Sequence, residues 1–413
     1  MEPASTDLER MLYDMENEYE SIRTNVTGVF DYQHYRNVLR KLNYQGTPGY
    51  PYCREASTIG TWLGFDGIFF NEERVQALWI DVQNVISGDF SESYWRVFIK
   101  PEAHKRGKAE TKRWRIIMCS GLAVQVVWQM MFSEMNSREI ENALDLPSQQ
   151  GLVLCGGSWK LFYRQWIDNG QTYGTDHTAW DWTVPGWMLR ADLEFRMRMS
   201  YGDNLEEWKR VAANLYEDAF HHPKIYLSDG RVYRQEHWGV QKSGCVNTIS
   251  TNSHGGAMLH CLYSYEYGLP LKPFSKTVGD DKLQTKPFVE HIEFYEKYGF
   301  IIKEVTEDCE FVGHKFGPKG PVPLYLTKHL YSLKYADKNY VPEILDAYLR
   351  LYVNSTEIFD FWMEIAEILG LAQVMRSRNY YEFWYHNPLS LEGVKIDFGK
   401  FKLDYGEHGL LVN

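Results

Sequence analysis

Cysteine is scarce in this sequence. Six residues in 413 (Cys53, Cys119, Cys155, Cys245, Cys261 and Cys309) stand far apart, with no C-x-x-C pair. That usage fits neither a zinc site nor a small disulfide framework, and it suits a reducing cytosol. Long apolar runs are missing as well: nothing approaches the roughly 20 residues that a membrane-spanning helix needs. The opening MEPASTDLERMLYDMENEYE is acidic and lacks the basic-then-apolar order of a secretory leader. The string G-x4-G-K-[ST] is absent, and the glycines between 151 and 175 match no phosphate-cradling pattern, which argues against a P-loop nucleotidase. His221-His222, ahead of Pro223, has no partner at ligand spacing and reads as loop. With no internal repeat and no low-complexity linker, the lobes are expected to pack as one unit.

At this length the chain exceeds one ordinary core, which implies one large multi-lobed unit or several subdomains. Aromatic residues make up 15%, enough for a well-packed interior or for a groove whose rings stack on bases. A net charge of −11 argues at first against a nucleic-acid partner, but the distribution of charge matters more than its sum. From Arg96 to Arg115 the chain reads RVFIKPEAHKRGKAETKRWR, dense in Lys and Arg against only Glu102 and Glu110. Such a run is ordinarily a solvated face. Here Pro101 and Gly107 break helical continuity, and Trp114 with Ile116-Ile117 is expected to anchor one end in apolar structure. The segment therefore reads as a basic strand-loop-strand, the kind of channel that phosphates require.

Periodicity predicts a helix around Leu122 to Met135, and a short strand ending near Asp176. Pro185 is expected to open a helix with Thr183 as its cap. Residues 226–240 alternate like a hairpin around Ser228-Asp229-Gly230, and Thr248 to Tyr267 reads as a helix stopped by Gly268 and Pro270. Helical periodicity dominates from about residue 325 to near 385.

Three local patterns combine. DHTAWD sets Asp176 and Asp181 five residues apart where a strand ends. QKSGCVNTISTNS puts Ser243, Gly244, Thr248 and Asn252 on a loop that runs into a helix. TVGDDKLQ carries Gly279-Asp280-Asp281 between two short strands, a hairpin signal. Taken alone, the last is as readily a polar surface turn. Together they supply what two-metal phosphoryl transfer needs. Magnesium is held by carboxylates plus substrate phosphates, and two such ions about 3.5–4 Å apart activate one oxygen and stabilise the other in an in-line displacement.

The order D-x4-D, S-G-x3-T-x3-N and G-D-D resembles motifs A, B and C of viral RNA-dependent RNA polymerases. The basic run ending KRWRII resembles motif F, TPGYPY motif G, EFYEKYGFIIKEV motif D and EFVGHKF motif E, all in the family's order between about residues 47 and 316. The wording KSG-x3-T-x2-TNS, with KPEAHK upstream, is most similar to the sobemovirus and polerovirus branch. This resemblance implies an α+β right-hand polymerase fold, whose palm is an antiparallel sheet backed by helices and whose thumb is mainly helical. The expected divisions are fingers at 1–170, palm at 171–204, a fingers insertion at 205–240, palm again at 241–324 and thumb at 325–413.

The resemblance also implies roles. Asp176, Asp280 and Asp281 become ligands for two Mg2+ ions, replaceable by Mn2+, and Lys303 is the nearest match to the basic residue that protonates the leaving pyrophosphate. Asp181, Ser243, Thr248 and Asn252 become the ribose-reading group, with Ser243 orienting Asp181 or Asn252. Arg113 and Arg115 become triphosphate contacts, assisted by Lys100 and Lys105. Thr47, Gly49, Tyr50, Arg106, Lys108, Lys112 and Gly244 are assigned to RNA. The implied partners are an RNA template, the nascent RNA, NTPs and other viral replication proteins, which would recruit the chain to replication complexes in the host cytoplasm. A reverse transcriptase is the enzymatic rival, although its hairpin begins with an aromatic and a bulky residue rather than Val-Gly. A non-catalytic RNA-binding scaffold is the other, against which the intact carboxylates speak. The aromatic stretch 379–388 reads as core or as a priming platform.

Overall fold

The computed structural model describes residues 1–102 and 104–387. Strands Lys276–Val278 and Asp281–Gln284 meet in a tight antiparallel hairpin. Gly279 makes the turn at φ +65°, in the left-handed region that side chains disfavour. The second strand pairs along its other edge with Tyr173–His177, and that strand pairs in turn with Ile302–Thr306. The result is a four-stranded antiparallel sheet.

The helix Thr248–Tyr267 backs this sheet. It is buried on nearly every side from Ser250 to Ser264, which is why its sequence shows no single apolar face. Gly256 permits the contact: a Cβ there would come 2.6 Å from Thr277 Cγ2 on the hairpin. As the sequence predicts, the helix ends at Gly268, in a left-handed conformation (φ +63°).

A second four-stranded sheet carries the basic run. Strand Trp95–Ile99 pairs antiparallel with Ile116–Cys119 and parallel with Lys224–Tyr226, which forms a hairpin with Val232–Arg234. The expected strand-loop-strand is present, with a short helix Arg106–Glu110 in its middle. Its anchor is not the one expected. Trp114 is 41% exposed, edge-to-face with the His104 ring, whereas Met118 and Cys119, at the far end of the strand, are buried.

Two further expectations are corrected. Thr183 does not cap the helix Gly186–Arg198; its hydroxyl donates back to the carbonyls of Ala179 and Trp180 and closes the short helix Trp180–Thr183. The helix predicted around 122–135 runs longer, as Leu122–Glu141. It belongs to a large core that joins the N-terminal third to the helix Thr248–Tyr267. A second core gathers Leu345, Leu349, Trp362 and Tyr381 from the C-terminal helices. Trp159, Phe162 and Trp166 of the helix Trp159–Asp168 join that second core, although they fall in the stretch expected to be fingers. Tyr381 and Tyr385 of the aromatic stretch are buried, while Phe383 is 56% exposed; Pro388 and the tail to 413 lie outside the described residues.

Candidate active site

The hairpin and its neighbouring strand bring the three aspartates to one end of the first sheet. Pairing of Thr175 with Lys282 sets Asp176 next to Asp281 across the strands, with Asp280 at the turn. Like charges so close resist joint ionisation. Burial pushes the Asp281 carboxyl up to about 7, and the charges of Asp280 and Asp176 add to the rise. Asp280 stands at the open mouth of the cleft, yet the surrounding protein mass and Asp176 raise its carboxyl too. The donors are all oxygen, which suits a hard cation such as magnesium. Their ligand atoms are nevertheless spread more widely than 4.8 Å; among the described residues only Glu217, His221 and His222 form a set that tight.

Lys303 meets one of these carboxylates. Its ammonium forms an ion pair with Asp176, and that hydrogen bond raises its pKa. The register explains how it arrives. Ile302 faces His177 while Glu304 faces Asp176, so Lys303 is the extra residue of a β-bulge. Bulges re-aim side chains in this way beside functional sites.

The hairpin is held from below by groups that motif reading misses. Ser253 Oγ accepts the Gly279 N–H at 2.9 Å. Burial pushes the His177 ring down to about 3, so it is neutral, and its Nδ1 donates to the Asp280 carbonyl at 3.2 Å. Deeper still, Asp192 and Glu139 flank His254 at 2.6 and 3.3 Å, and Asp192 also binds Arg196 at 3.1 Å, all with fully buried side chains. This balanced network locks the helix Thr248–Tyr267 to Gly186–Arg198. The histidine spacing alone carries no signal of it.

Of the proposed ribose group, two members meet. Asn252 Nδ2 donates to Asp181 Oδ1 at 3.0 Å, leaving Asn252 Oδ1 buried without a protein partner. Burial pushes Asp181 up to about 6, against the pull of that bond. Ser243 and Thr248 are elsewhere engaged. The Ser243 hydroxyl donates to the Ile116 carbonyl at 3.2 Å, so it does not orient Asp181 or Asn252. Thr248 Oγ1 lies 2.8 Å from the carbonyls of Lys242 and Cys245 and holds the loop to the helix start.

The Ser243-Gly244 loop docks on the basic strand. Gly244 N–H donates to the Met118 carbonyl at 3.0 Å, and a Cβ at 244 would lie 2.5 Å from that oxygen. The Arg115 guanidinium is paired with Glu102 at 2.6 Å, and its charge slightly offsets the rise at Asp181 and Asp280. Lys100 meets the same glutamate at 3.2 Å. Arg113 instead donates to Thr111 Oγ1 at 3.0 Å, and Arg106 pairs with Glu110 at 2.9 Å. Lys105, Lys108 and Lys112 are exposed on the loop. Gly49 lets residues 47–50 pack on the second sheet's neighbour, since a Cβ there would meet the Ser120 carbonyl at 2.1 Å. Thr47 Oγ1 accepts the Gly49 N–H at 3.3 Å, and the Tyr50 ring packs on Tyr226, 4.7 Å between centroids.

Comparison with known proteins identifies the family. A family model described as viral RNA-dependent RNA polymerase matches residues 9–299. Protein P1-P2 of Potato leafroll virus is 31% identical over 272 residues, which cover 62% of this chain and 24% of that protein. Protein P2-P3 of Poinsettia latent virus is 31% identical over 266 residues, 60% of this chain and 22% of the relative. The RNA-directed RNA polymerase of Mushroom bacilliform virus is 27% identical over 303 residues, 68% of this chain and 71% of the relative. The chain thus spans about a quarter of the length of the first two of these relatives. A solved Sicinivirus 3Dpol RNA dependent RNA polymerase superposes with a TM-score of 0.71 at 14% identity, covering 100% of this chain and 87% of that one. That likeness establishes the right-hand polymerase fold. The chain belongs to the viral RNA-dependent RNA polymerase family.

Proposed function

We propose that the chain copies RNA by template-directed transfer of nucleotides from NTPs to an RNA 3′-hydroxyl, with Asp176, Asp280 and Asp281 holding two magnesium ions. The observation that carries this reading is the gathering of three mutually repelling carboxylates on one sheet end, with Asp281 raised to about 7. A site so charged is stable in its ionised form only beside cations. When bound, magnesium supplies charge neutralisation for the attacking and leaving oxygens.

The protein's own groups do the rest. Asp181 and the free Asn252 carbonyl offer hydrogen bonds to a ribose hydroxyl. Arg115, held by Glu102, supplies a cation for the triphosphate. Lys303, paired with Asp176 beside the hairpin, is the group that would give a proton to the pyrophosphate. Ser253 and His177 hold the turn so that Asp280 keeps its direction. The basic loop, with Lys105, Arg106, Lys108 and Lys112, contributes the salt-dependent part of RNA binding. Work on replication complexes in the host cytoplasm, alongside other viral proteins, belongs to the same proposal.

The test is incorporation of labelled nucleotide on a defined RNA template with magnesium or manganese. Extension should follow the template and stop where the complementary NTP is withheld. Product formation independent of the template, or RNA binding without any incorporation, would contradict the reading, the second outcome favouring a scaffold.

A further inference from the structure

Away from the catalytic cleft, the last turn of the helix Leu205–Phe220 gathers a second group of ligand-type side chains. Sequence reading treats His221-His222 as loop without a partner, but Glu217 stands one turn earlier. The Glu217 carbonyl accepts the N–H of both His221 and His222, at 3.1 and 2.9 Å, so the chain curls back over that turn before Pro223 ends it. The two imidazoles lie 3.6 Å apart between centroids, and His221 is held flat against Trp238 at 5.1 Å and 18°. His221 Nδ1 is 2.6 Å from Glu217 Oε2.

Two imidazoles and a carboxylate form a nitrogen-rich donor set, of the kind zinc takes and magnesium does not. Around a metal with bonds of about 2.0–2.1 Å, ligand atoms lie at most roughly 4.2 Å apart. The three groups already present ligand atoms within 4.8 Å of one another, near that limit. The helix has 16 residues, and its C-terminal dipole favours a cation at this end. Glu217 and His222 also line a cavity of about 310 Å³ with Asp218, Lys224 and Arg234. The Lys224 ammonium is bound to the carbonyls of Phe90 and Ser91.

We propose that Glu217, His221 and His222 bind one zinc ion, with a fourth position open to water in the adjoining cavity. The position gives the ion a structural role. Asp218, on the same turn, accepts from Ser93 Oγ at 2.9 Å and Trp95 Nε1 at 3.0 Å, and Trp95 begins the strand that leads into the basic loop. Zinc would therefore brace the sheet that carries that loop.

The experiment titrates Zn2+ into the full chain in excess Mg2+ by calorimetry, with metal content measured after dialysis. Co2+ is then exchanged in, and its visible absorption reports four-coordinate binding. The proposal expects one zinc per chain, a rise in melting temperature on loading, and a four-coordinate cobalt band. Glu217→Gln and His222→Ala are expected to weaken binding by more than the roughly 10–100-fold that loss of an outer partner costs, with circular dichroism unchanged. Asp280→Ala, in the catalytic hairpin, is expected to keep full zinc binding. No saturable zinc binding, equal binding in the folded Glu217→Gln and His222→Ala proteins, or loss of zinc in Asp280→Ala would each overturn it. The ordinary alternative, a Glu217–His221 surface ion pair and nothing more, predicts the first of these.

Discussion

Asn252 is the residue whose chemistry is most constrained. Its amide donates to Asp181, and its carbonyl is buried with no protein partner. A ribonucleotide 2′-hydroxyl would supply that partner, and a deoxynucleotide would leave it unmet at a cost of about 1–3 kcal/mol. Asn252→Ala and Asp181→Ala are therefore expected to lower the ribo-over-deoxy ratio of kcat/KM by roughly ten- to a hundredfold, chiefly by slowing ribonucleotide use. The ratio should also weaken as pH falls through about 6, where Asp181 gains a proton and loses an acceptor. Matched ribo- and deoxynucleotides on one primer–template measure it, and unchanged ratios in both variants would make the pair structural. Lys282 allows a second residue-scale prediction. Its ammonium is buried without a hydrogen-bond partner, near the Tyr295 ring, and burial pushes its pKa down to about 7. A lysine whose folded pKa is depressed is protonated first in the unfolded chain, so its cost to stability grows as pH falls below the unfolded value and is full below the folded one. Lys282→Met is thus expected to gain stability over the parent at pH 6 and to gain less at pH 9. Melting curves across that range would show it; a gain independent of pH would mean that Lys282 is not the titrating group.

Local chemistry made several elements readable and left others hidden. The hairpin at Gly279 and the helix Thr248–Tyr267 follow from turn and stop residues in their own sequence, and the structure has them at the expected bounds. The bulge at Lys303 could not be read this way, because a register shift is set by the partner strand. Trp114 misled for a related reason: hydrophobicity marks a residue able to be buried, while the packing decides whether it is. The docking of the Ser243-Gly244 loop on strand Ile116–Cys119 is equally non-local, and it can be tested. Gly244→Ala would drive a Cβ into the Met118 carbonyl, a backbone atom that cannot rotate away. The expected outcome is a loss of about 1–3 kcal/mol in stability, as overpacking costs, together with a raised KM for NTP as the loop lifts from the strand that follows Arg115. Unfolding curves and steady-state kinetics on one preparation check both. Unchanged values would mean that the loop has room the structure does not show.

Across the whole molecule, the site depends on parts far apart in sequence. The N-terminal helix Ser5–Glu18 grips the rear of the catalytic region, with Glu9 and Glu16 both on Arg198 and with Asp14 accepting from Tyr265 at 2.5 Å. The resemblance to known motifs begins only near residue 47, so this clamp had no signature to read. The second core similarly ties Trp159 and Trp166 to the C-terminal helices, and Leu283, next door to the hairpin's aspartates, enters it too. The carboxylate end of the sheet thus rests between two cores. Replacing one of these aspartates removes no member of either core, which makes it a clean test. The most direct measurement is nucleotide incorporation by Asp280→Ala and, separately, by Asp176→Ala, with magnesium and with manganese, on protein whose circular dichroism matches the parent. Incorporation should be abolished in both folded variants with either metal. Substantial activity in folded Asp280→Ala would contradict the assignment of these aspartates as the metal-holding centre of an RNA polymerase.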